Sequence, residues 1–238
     1  MLLLLMLFLQ VVPPDQPLPV KSLPQNIAQD QKAVWRFPVQ LGRLQHWKPV
    51  LGFLAASAAL VELDHRDTPY FRKTESLTGF NRTFSSFNTG LAEGLLPAAF
   101  YLGGLARRDS YARKTGLLSI EALANAEVIS ELIKNISRRR RPIEISPNGD
   151  FSDTWFDAGP GLLVNRGSFP SGHTSGAFAV ATVFAERYHS HRWVPWAAYG
   201  LAGVVAFSRV SNQNHFPSDV FAGAAFGYSI SHFVVLKR

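Results

Sequence analysis

Long apolar runs rich in Ala, Leu, Gly and Phe occupy most of the chain from residue 46 onward, and short polar breaks separate them. The breaks are not the regularly spaced turn pairs that divide β-strands, and the runs exceed the usual length of a strand. The pattern therefore predicts an all-α protein, a compact bundle of about six helices. We expect these helices over residues 49–63, 88–106, 115–139, 172–188, 193–207 and 217–235.

The first 45 residues differ from this pattern. Residues 1–12 are apolar except for Gln10, about as long as the core of an export signal and too short to span a bilayer. They lack a basic leader and a clear cleavage site. The alternatives to an export signal are therefore an uncleaved anchor, a misassigned start or a buried helix. Prolines among polar residues predict a linker with little regular structure over residues 13–45. We therefore divide the chain into an N-terminal export or anchor segment with its linker, residues 1–45, and a helical domain, residues 46–238.

The charge-free runs are short for helices that cross a membrane. The longest of them cover residues 49–61, 174–185, 193–208 and 220–230, and each falls below the ~18 residues expected of a spanning helix. Glutamates interrupt the other runs, and carboxylates inside a bilayer are costly unless they face a polar site. The sequence therefore favours a bundle outside the bilayer or resting on it, and short tilted helices with polar inner faces are the alternative.

The composition narrows the chemistry further. A formal net charge of +7 and a pI near 9.9 favour anionic partners, which include phosphate esters, anionic membrane surfaces and nucleic acids. The chain contains no cysteine, so disulfides, thiolate catalysis and cysteine-ligated zinc are excluded.

The segment at residues 208–219, SRVSNQNHFPSD, places an arginine, a histidine and a carboxylate at a spacing that suits phosphate chemistry. Proline is tolerated in the first turn of a helix, so Pro217 predicts a helix start there. His215 and Asp219 then lie one turn apart, and the carboxylate can hold one nitrogen of the imidazole while the other is free to attack. The N-terminus of such a helix also attracts anions.

The segment SFPSGHTSGA at residues 168–177 predicts a second helix start. Ser171 is a suitable N-cap, and Gly172 and His173 would direct their backbone N–H groups outward, where an anion can approach the glycine closely. A Ser-Gly-His sequence at a helix start is by itself most often only a cap.

A stripe of charged residues runs along the predicted helix at 115–139, with Lys134 near its end. Pro142 ends that helix and is expected to leave Arg141 in its last turn. Such a stripe alone is more often a solvated face, and the arginines at 138–141 are also compatible with a nucleic-acid or anionic-lipid patch.

Residues 143–169 then form a connection longer than most in compact domains. Loops of this kind are often lids or entrances to binding sites. Trp155 and Phe156 could provide an apolar wall for a substrate tail or anchor the loop on the core.

Three segments together match one pattern: Lys134, six residues, Arg141-Pro142; then Pro170-Ser171-Gly172-His173; then Ser208-Arg209, five residues, His215, three residues, Asp219. This pattern resembles the type 2 phosphatidic acid phosphatase superfamily, which also contains bacterial acid phosphatases and vanadium haloperoxidases. Every defining position is occupied, in the same order and with compatible gaps. The joint match is specific, and it covers residues 134–219.

The resemblance implies a role for each matched residue. Lys134, Arg141 and Arg209 would bind the phosphoryl oxygens, and Ser171 and the Gly172 N–H would complete the site. His215 would attack phosphorus, and Asp219 would fix the tautomer of His215 and stabilise its developing charge. His173 would protonate the leaving oxygen and then activate water. Three cations can stabilise the transition state without a metal ion, so no cofactor is expected.

The sequence therefore predicts a metal-independent phosphatase that forms a phosphohistidine intermediate. The expected substrate is a phosphate monoester or diphosphate, either of a lipid, such as phosphatidate or an isoprenyl diphosphate, or of a small soluble alcohol. We expect contact with a membrane surface, no nucleic-acid partner, and export to the cell envelope with the active site outside the cytoplasm. The alternatives are a vanadium-dependent haloperoxidase and a non-enzymatic basic protein that binds membranes or nucleic acid.

Overall fold

The computed structural model describes residues 18–42, 47–73, 77–159, 161 and 166–237. Regular secondary structure in these residues is helical and no strand occurs among them, which confirms the all-α prediction. Their α-helices are α1 (Leu23–Gly42), α2 (Trp47–Lys73), α3 (Thr78–Thr83), α4 (Ser86–Arg107), α5 (Ser110–Ser137), α6 (Gly172–Arg187), α7 (Trp193–Ser211) and α8 (Pro217–Ile230). Short 3₁₀ turns at Val20–Ser22 and Pro142–Glu144 and a π-helical turn at Ser231–Val235 complete the helical segments. All six predicted helices occur, and α1 and α3 are additional.

The N-terminal linker prediction was wrong for the residues that form α1. Pro24 lies in the first turn of that helix, where the missing N–H of a proline has no intrahelical partner to lose. α1 packs on α5: the Asn125 side chain donates to Asp30 at 2.9 Å and accepts from Gln31 at 2.8 Å. The predicted export signal at residues 1–12 and the boundary near residue 45 lie outside the described residues and stay predictions.

Helix α5 ends earlier than predicted, at Ser137. Arg138 adopts the left-handed conformation (φ 45°), and its N–H caps the helix by donating to the Lys134 carbonyl at 2.9 Å. The Ser137 carbonyl accepts instead from the N–H of Phe156 in the following loop. Arg141 was predicted in the last turn of α5. In the structure it lies after the end of that helix and precedes the turn Pro142–Glu144.

Helix α6 is the centre of the bundle and packs against α5, α7 and α8. Most of its residues are buried, and many are Gly, Ala, Ser or Thr, which let neighbouring helices approach closely. The N-terminal ends of α4, α6 and α8 meet the C-terminal end of α7, because the Arg209 guanidinium donates to Ser86 and the Ser171 N–H donates to the Asp219 carbonyl. Lys134 of the first motif lies beside Gly172 at the start of α6. The three predicted motifs therefore lie at one end of the bundle.

Helix length was the basis of the prediction about the bilayer. Helices α6 and α8 have 16 and 14 residues, whereas α2 and α5 have 27 and 28 residues but carry charged side chains along their length. Within the described ranges, no helix is both long enough and apolar enough to cross a membrane.

Two glycines on α8 allow it to press against α6. A Cβ atom at Gly227 would overlap the Ser175 carbonyl oxygen, and one at Gly223 would overlap the Ser171 carbonyl oxygen. Both overlaps involve backbone, which cannot rotate away as a side chain can. The glycines therefore set the distance between the helix that carries Asp219 and the helix that carries Ser171.

Replacing Gly227 with alanine is expected to destabilise the protein by about 1–3 kcal/mol, because the added methyl group forces α8 away from α6. The free energy of unfolding from urea titration measures this effect. Gly200→Ala in α7 is the matched control, since a Cβ there meets no other atom within 4 Å; that variant should be at least as stable as the parent. Equal stability of the Gly227→Ala protein and its parent would contradict the packing argument.

Candidate active site

His215 is buried just before α8, where Pro217 is the first helical residue, as predicted. Its Nδ1 atom lies 2.7 Å from the Ser168 carbonyl oxygen. Because a carbonyl oxygen only accepts, Nδ1 carries the proton and the lone pair is on Nε2. His215 Nδ1–H therefore donates to the Ser168 carbonyl, and this bond sets the tautomer. The sequence had predicted Asp219 in this role.

The Asp219 carboxylate is fully buried one turn after His215. Its Oδ2 atom lies 3.8 Å from His215 Nδ1, too far for a hydrogen bond, but accepts from the Phe216 N–H at 2.8 Å and from the Ser168 hydroxyl. Its Oδ1 atom accepts from the Arg139 guanidinium at 2.7 Å. Burial raises the pKa of this carboxyl, but Arg139 and the other partners outweigh burial and hold it below its ordinary value. Asp219 is thus an ionised group that can stabilise positive charge on His215.

Arg209 is buried near the end of α7, and its guanidinium faces the start of α4. It donates to the hydroxyls of Ser86 at 3.1 Å and Thr89 at 3.2 Å and to the Phe84 carbonyl. Burial lowers the pKa of Arg209 to about 10, so the side chain remains a cation at neutral pH. The residues before and within the first turn of α4 therefore orient this cation, although no motif indicated them.

His173 is the second residue of α6, and its Nε2 atom lies 3.0 Å from the Ser86 carbonyl oxygen, to which it donates. Burial and the nearby Arg209 cation lower the pKa of His173 to about 4. In the ligand-free state both histidines are therefore neutral at pH 7, since burial also lowers the pKa of His215 to about 4.

The Lys134 ammonium group lies beside the first turn of α6. A Cβ atom at Gly172 would lie 3.1 Å from Lys134 Nζ and 3.4 Å from a carboxylate oxygen of Glu127. A glycine at this position therefore leaves room for both side chains beside the start of α6. Lys134 also forms a salt bridge of 2.5 Å with Glu131. The cation, the glycine and the helix start therefore lie together, as predicted.

Ser171 and Arg141 complete the predicted set. Ser171 is the N-cap of α6, as predicted: its hydroxyl accepts from the Thr174 N–H at 3.4 Å and lies 2.9 Å from the Thr174 hydroxyl. Arg141 donates through Nε to the Gly167 carbonyl at 3.2 Å. Burial lowers the pKa of Arg141, while Glu144 and Asp219 oppose that shift.

Two glutamates that the motifs did not indicate face the start of α6. A Cβ atom at Gly176 would lie 3.1 Å from a carboxylate oxygen of Glu93 and 3.4 Å from one of Glu127. Burial raises the pKa of both carboxyls, well above the ordinary value for Glu93, which also faces the charge of Glu127. The site thus combines several cations with carboxyl groups that can take up a proton.

The loop before α6 anchors on the core through Trp155. The Trp155 ring lies 4.5 Å from the Arg139 guanidinium and 5.1 Å from the Phe169 ring. Phe156 is largely exposed instead. Of the two alternatives for this loop, Trp155 therefore fits the anchor.

The site can hold a tetrahedral anion between cations, next to a neutral imidazole with a free lone pair on Nε2. No group of three His, Cys, Asp or Glu side chains in the described ranges is arranged to hold a metal ion. The Nε2 lone pair of His215 and the cations Lys134, Arg141 and Arg209 suit attack on phosphorus.

The buried histidine predicts a loss of stability in acid. The pKa of His215 is about 4 in the folded protein and near 6.5 when exposed, so the unfolded state binds the proton more readily. The contribution of His215 to the free energy of unfolding is fully present above pH 6.5. It is lost as the pH falls to about 4, and its size is on the order of 3 kcal/mol. Urea unfolding at several pH values measures it, and the dependence should weaken in His215→Gln but not in His189→Ala, whose ring is exposed. The same pH dependence in both variants would contradict the assignment.

The profile described as the PAP2 superfamily matches residues 115–238, slightly more than half of the chain. All eight predicted site residues fall within this range.

Curated relatives in two bacteria match shorter stretches. A lipid A 1-phosphatase of Porphyromonas gingivalis is 48% identical over 61 residues, which cover 25% of this chain and 14% of that protein. A lipid A 4′-phosphatase of the same species is 28% identical over 119 residues, 50% of this chain and 48% of that protein. A lipid A 1-phosphatase of Rhizobium etli is 34% identical over 113 residues, 47% of this chain and 46% of that protein. The chain thus spans about half or less of the length of these relatives.

Two solved structures also match. A transmembrane PAP2-type phosphatidylglycerolphosphate phosphatase from Bacillus subtilis has a TM-score of 0.48 and 20% identity, and the match covers 87% of this chain and 94% of that one. Aquifex aeolicus LpxE has a TM-score of 0.48 and 21% identity, and the match covers 76% of this chain and 94% of that one.

Proposed function

This chain belongs to the PAP2 superfamily, and we propose that it is a phosphatase that hydrolyses a phosphorylated lipid without a metal cofactor. The observation that carries the proposal is the state of His215. Its Nδ1–H is held by the Ser168 carbonyl, burial keeps the ring neutral, and the lone pair on Nε2 is free to form a bond to phosphorus. A neutral imidazole held in one tautomer is the form that a nucleophilic histidine requires.

The proposed reaction has two steps. Binding of the phosphate anion favours protonation of His173. In the first step, Nε2 of His215 forms a bond to phosphorus as the bond to the leaving oxygen breaks, and the protonated His173 gives that oxygen its proton. In the second, His173 takes a proton from water, the hydroxide attacks phosphorus, and the N–P bond breaks to return the electron pair to Nε2. Inorganic phosphate is released, and both histidines are restored to their starting states.

The surrounding charges suit this sequence. Lys134, Arg141 and Arg209 can bind the phosphoryl oxygens, with Ser171 and the Gly172 N–H at the start of α6. The phosphohistidine ring keeps its Nδ1 proton and so carries positive charge. Asp219, ionised at 3.8 Å from Nδ1, stabilises that charge.

A lipid phosphate is favoured over a soluble ester because the curated relatives are named lipid A phosphatases. We therefore propose a membrane-embedded glycolipid phosphate as the first substrate class, with phosphatidate and isoprenyl diphosphates as the other lipid candidates. A substrate of this kind requires contact with a membrane surface. We also propose that the active site faces the outside of the cytoplasmic membrane.

A phosphate-release panel tests the activity. The purified full chain is incubated in detergent micelles with lipid A, phosphatidate, an isoprenyl diphosphate and p-nitrophenyl phosphate, each with and without EDTA. We expect release from at least one lipid, unchanged by EDTA and inhibited by vanadate, which mimics the five-coordinate transition state. Loss of activity in EDTA that zinc or magnesium restores would contradict the metal-independent mechanism. Bromide oxidation by peroxide in the presence of vanadate, without phosphate release, would favour a haloperoxidase.

Cell fractionation tests the location. We expect the full-length protein in the envelope fraction of the expressing bacterium, and accessible to protease added from outside the cytoplasmic membrane. Recovery in the cytosolic fraction would contradict the proposed location.

A further inference from the structure

Among the arginines at 138–141, Arg139 is buried beneath the site. Its side chain is 1% exposed and lies between two aromatic rings, at 4.5 Å from Trp155 and 3.9 Å from Phe216. Arg140 is different, because its guanidinium is more than a third exposed and pairs at 2.8 Å with Asp157, which is also exposed. A fully buried guanidinium is costly unless its donors are all used, so the partners of Arg139 indicate its role.

The Arg139 guanidinium joins two buried carboxylates. Nη1 donates to Asp219 at 2.7 Å and Nη2 donates to Asp64 at 2.7 Å, while Nε donates to the Thr154 hydroxyl at 3.1 Å. Nη1 also lies 2.7 Å from the Ser218 hydroxyl. The planar guanidinium can reach both carboxylates at once, which a single ammonium cannot do with the same geometry.

Asp64 comes from α2, outside the matched family range and outside all three motifs. It is 1% exposed, and its Oδ1 atom accepts from the Ser218 N–H at 3.1 Å in the first turn of α8. Its Oδ2 atom accepts from Arg139 and from the Ser218 hydroxyl. Asp64 therefore holds both the guanidinium and the start of the helix that carries Asp219.

Arg139 is also linked to His215 through its backbone. The Arg139 carbonyl accepts from the Ser168 N–H at 2.8 Å, and the Ser168 carbonyl accepts from His215 Nδ1. The side chain and the backbone of one residue thus reach the two groups that surround the imidazole, Asp219 and Ser168.

We propose that Asp64 and Arg139 are positioning residues that hold Asp219 and Ser168 against His215 for phosphoryl transfer. The proposal rests on the phosphatase function proposed above. Neither residue touches the phosphoryl group: Arg139 acts through Asp219 and Ser168, and Asp64 acts through Arg139 and Ser218. The pair extends the site to α2, on which no motif residue lies.

The charges around His215 determine how this role can be measured. Asp219 lies 3.8 Å from the imidazole and favours its protonation, whereas the charges of Arg141 and Lys134 lower the pKa of His215. Arg139 pairs with both Asp219 and Asp64.

Removing the positive charge of Arg139 favours protonation of both Asp219 and His215. Burial raises the pKa of Asp64 although Arg139 opposes that shift, and removing the negative charge that Asp64 carries above its pKa disfavours the protonation of Asp219 and His215. Protonation of His215 removes the lone pair that attacks phosphorus and lowers the rate at acid pH. The two changes should therefore shift this acid limb of the pH–rate profile in opposite directions.

The experiment measures the rate of phosphoenzyme formation from p-nitrophenyl phosphate against pH, because this leaving group needs little help from a proton donor. The variants are Arg139→Gln, Arg139→Lys and Asp64→Asn, and the matched surface controls are Arg140→Gln, Arg140→Lys and Asp157→Asn. We expect the acid limb to move to higher pH in Arg139→Gln and to lower pH in Asp64→Asn. Arg139→Lys keeps the charge and should leave the limb near its original position. The rate of phosphoenzyme formation should nevertheless fall about 10²-fold, because an ammonium cannot bind both carboxylates with the geometry of the guanidinium.

If Arg139→Gln does not fold, the other two variants decide. Asp64→Asn with an unchanged acid limb, or Arg139→Lys that forms the phosphoenzyme as fast as the Arg140→Lys control, overturns the positioning role. Limbs that shift in the same direction in Asp64→Asn and Arg139→Gln, with equal losses of thermal stability, indicate a purely structural role and also overturn it. A parent protein that releases phosphate from no substrate would contradict the proposed phosphatase function. The variants are compared only with an active parent, so a failure of the positioning role leaves the phosphatase function standing.

Discussion

Replacing His215 with alanine is expected to reduce turnover at least about 10⁴-fold, because no other neutral imidazole is held at the same place to attack phosphorus. The Ser168 carbonyl and the Asp219 carboxylate would then face an empty space, and no covalent phosphoenzyme can form. Rapid quench of the parent and the variant with radiolabelled substrate, followed by separation of the labelled protein under alkaline conditions that preserve phosphohistidine, measures both effects.

The matched control for this variant is His189→Ala, which removes an exposed histidine after the C-terminus of α6, away from the site. It should keep the activity of the parent. A His215→Ala protein that still turns over, or that still carries a stable label, would remove this residue from the role of nucleophile. Loss of activity in His189→Ala to the same extent would show that the assay reports damage to the fold.

The helix starts that frame the site were predictable from local chemistry. A serine before Gly172 and a proline two residues after His215 are signals that depend on a few neighbouring residues, and the structure begins α6 and α8 at those points. The motif spacing then identified which residues would meet at one end of the bundle.

The end of α5 was not predictable in the same way. Nothing local requires Arg138 to adopt a left-handed conformation, and the carbonyls it leaves behind are satisfied by a loop far along the chain. The contacts of Arg139 depend on this ending, because a helix continued through residue 139 would have directed its side chain elsewhere. An arginine run in a sequence does not show which of its members is buried.

The partner of His215 was missed for a related reason. One helical turn between His215 and Asp219 is compatible with a direct hydrogen bond, but Ser168, distant in sequence, provides a closer acceptor. Asp219 is instead satisfied by the Phe216 N–H, Ser168 and Arg139. Spacing limits which groups can meet, whereas tertiary contacts decide which of them hydrogen-bond.

The protonation of His173 links the resting site to the reaction. Burial and Arg209 lower its pKa to about 4 in the ligand-free protein, so it is a poor proton donor at neutral pH until an anion arrives. A bound phosphate dianion beside it favours the protonated form and raises its pKa. We therefore expect the basic limb of kcat, which reports the bound state, to lie at higher pH than the basic limb of kcat/KM, which reports the free enzyme.

Replacing His173 with alanine is expected to lower steady-state turnover of a lipid phosphate about 10²- to 10⁴-fold, since an alkoxide leaving group requires a proton. With p-nitrophenyl phosphate the first step needs little proton donation, so the variant should still phosphorylate His215. The second step has lost its base, and the phosphoenzyme should accumulate. Stopped-flow measurement should then show a burst of nitrophenol close to one equivalent per site, followed by slow turnover. Steady turnover without a burst, at the rate of the parent, would mean that His173 neither donates the proton nor activates the water, and that another group near Ser86 and Arg209 does so.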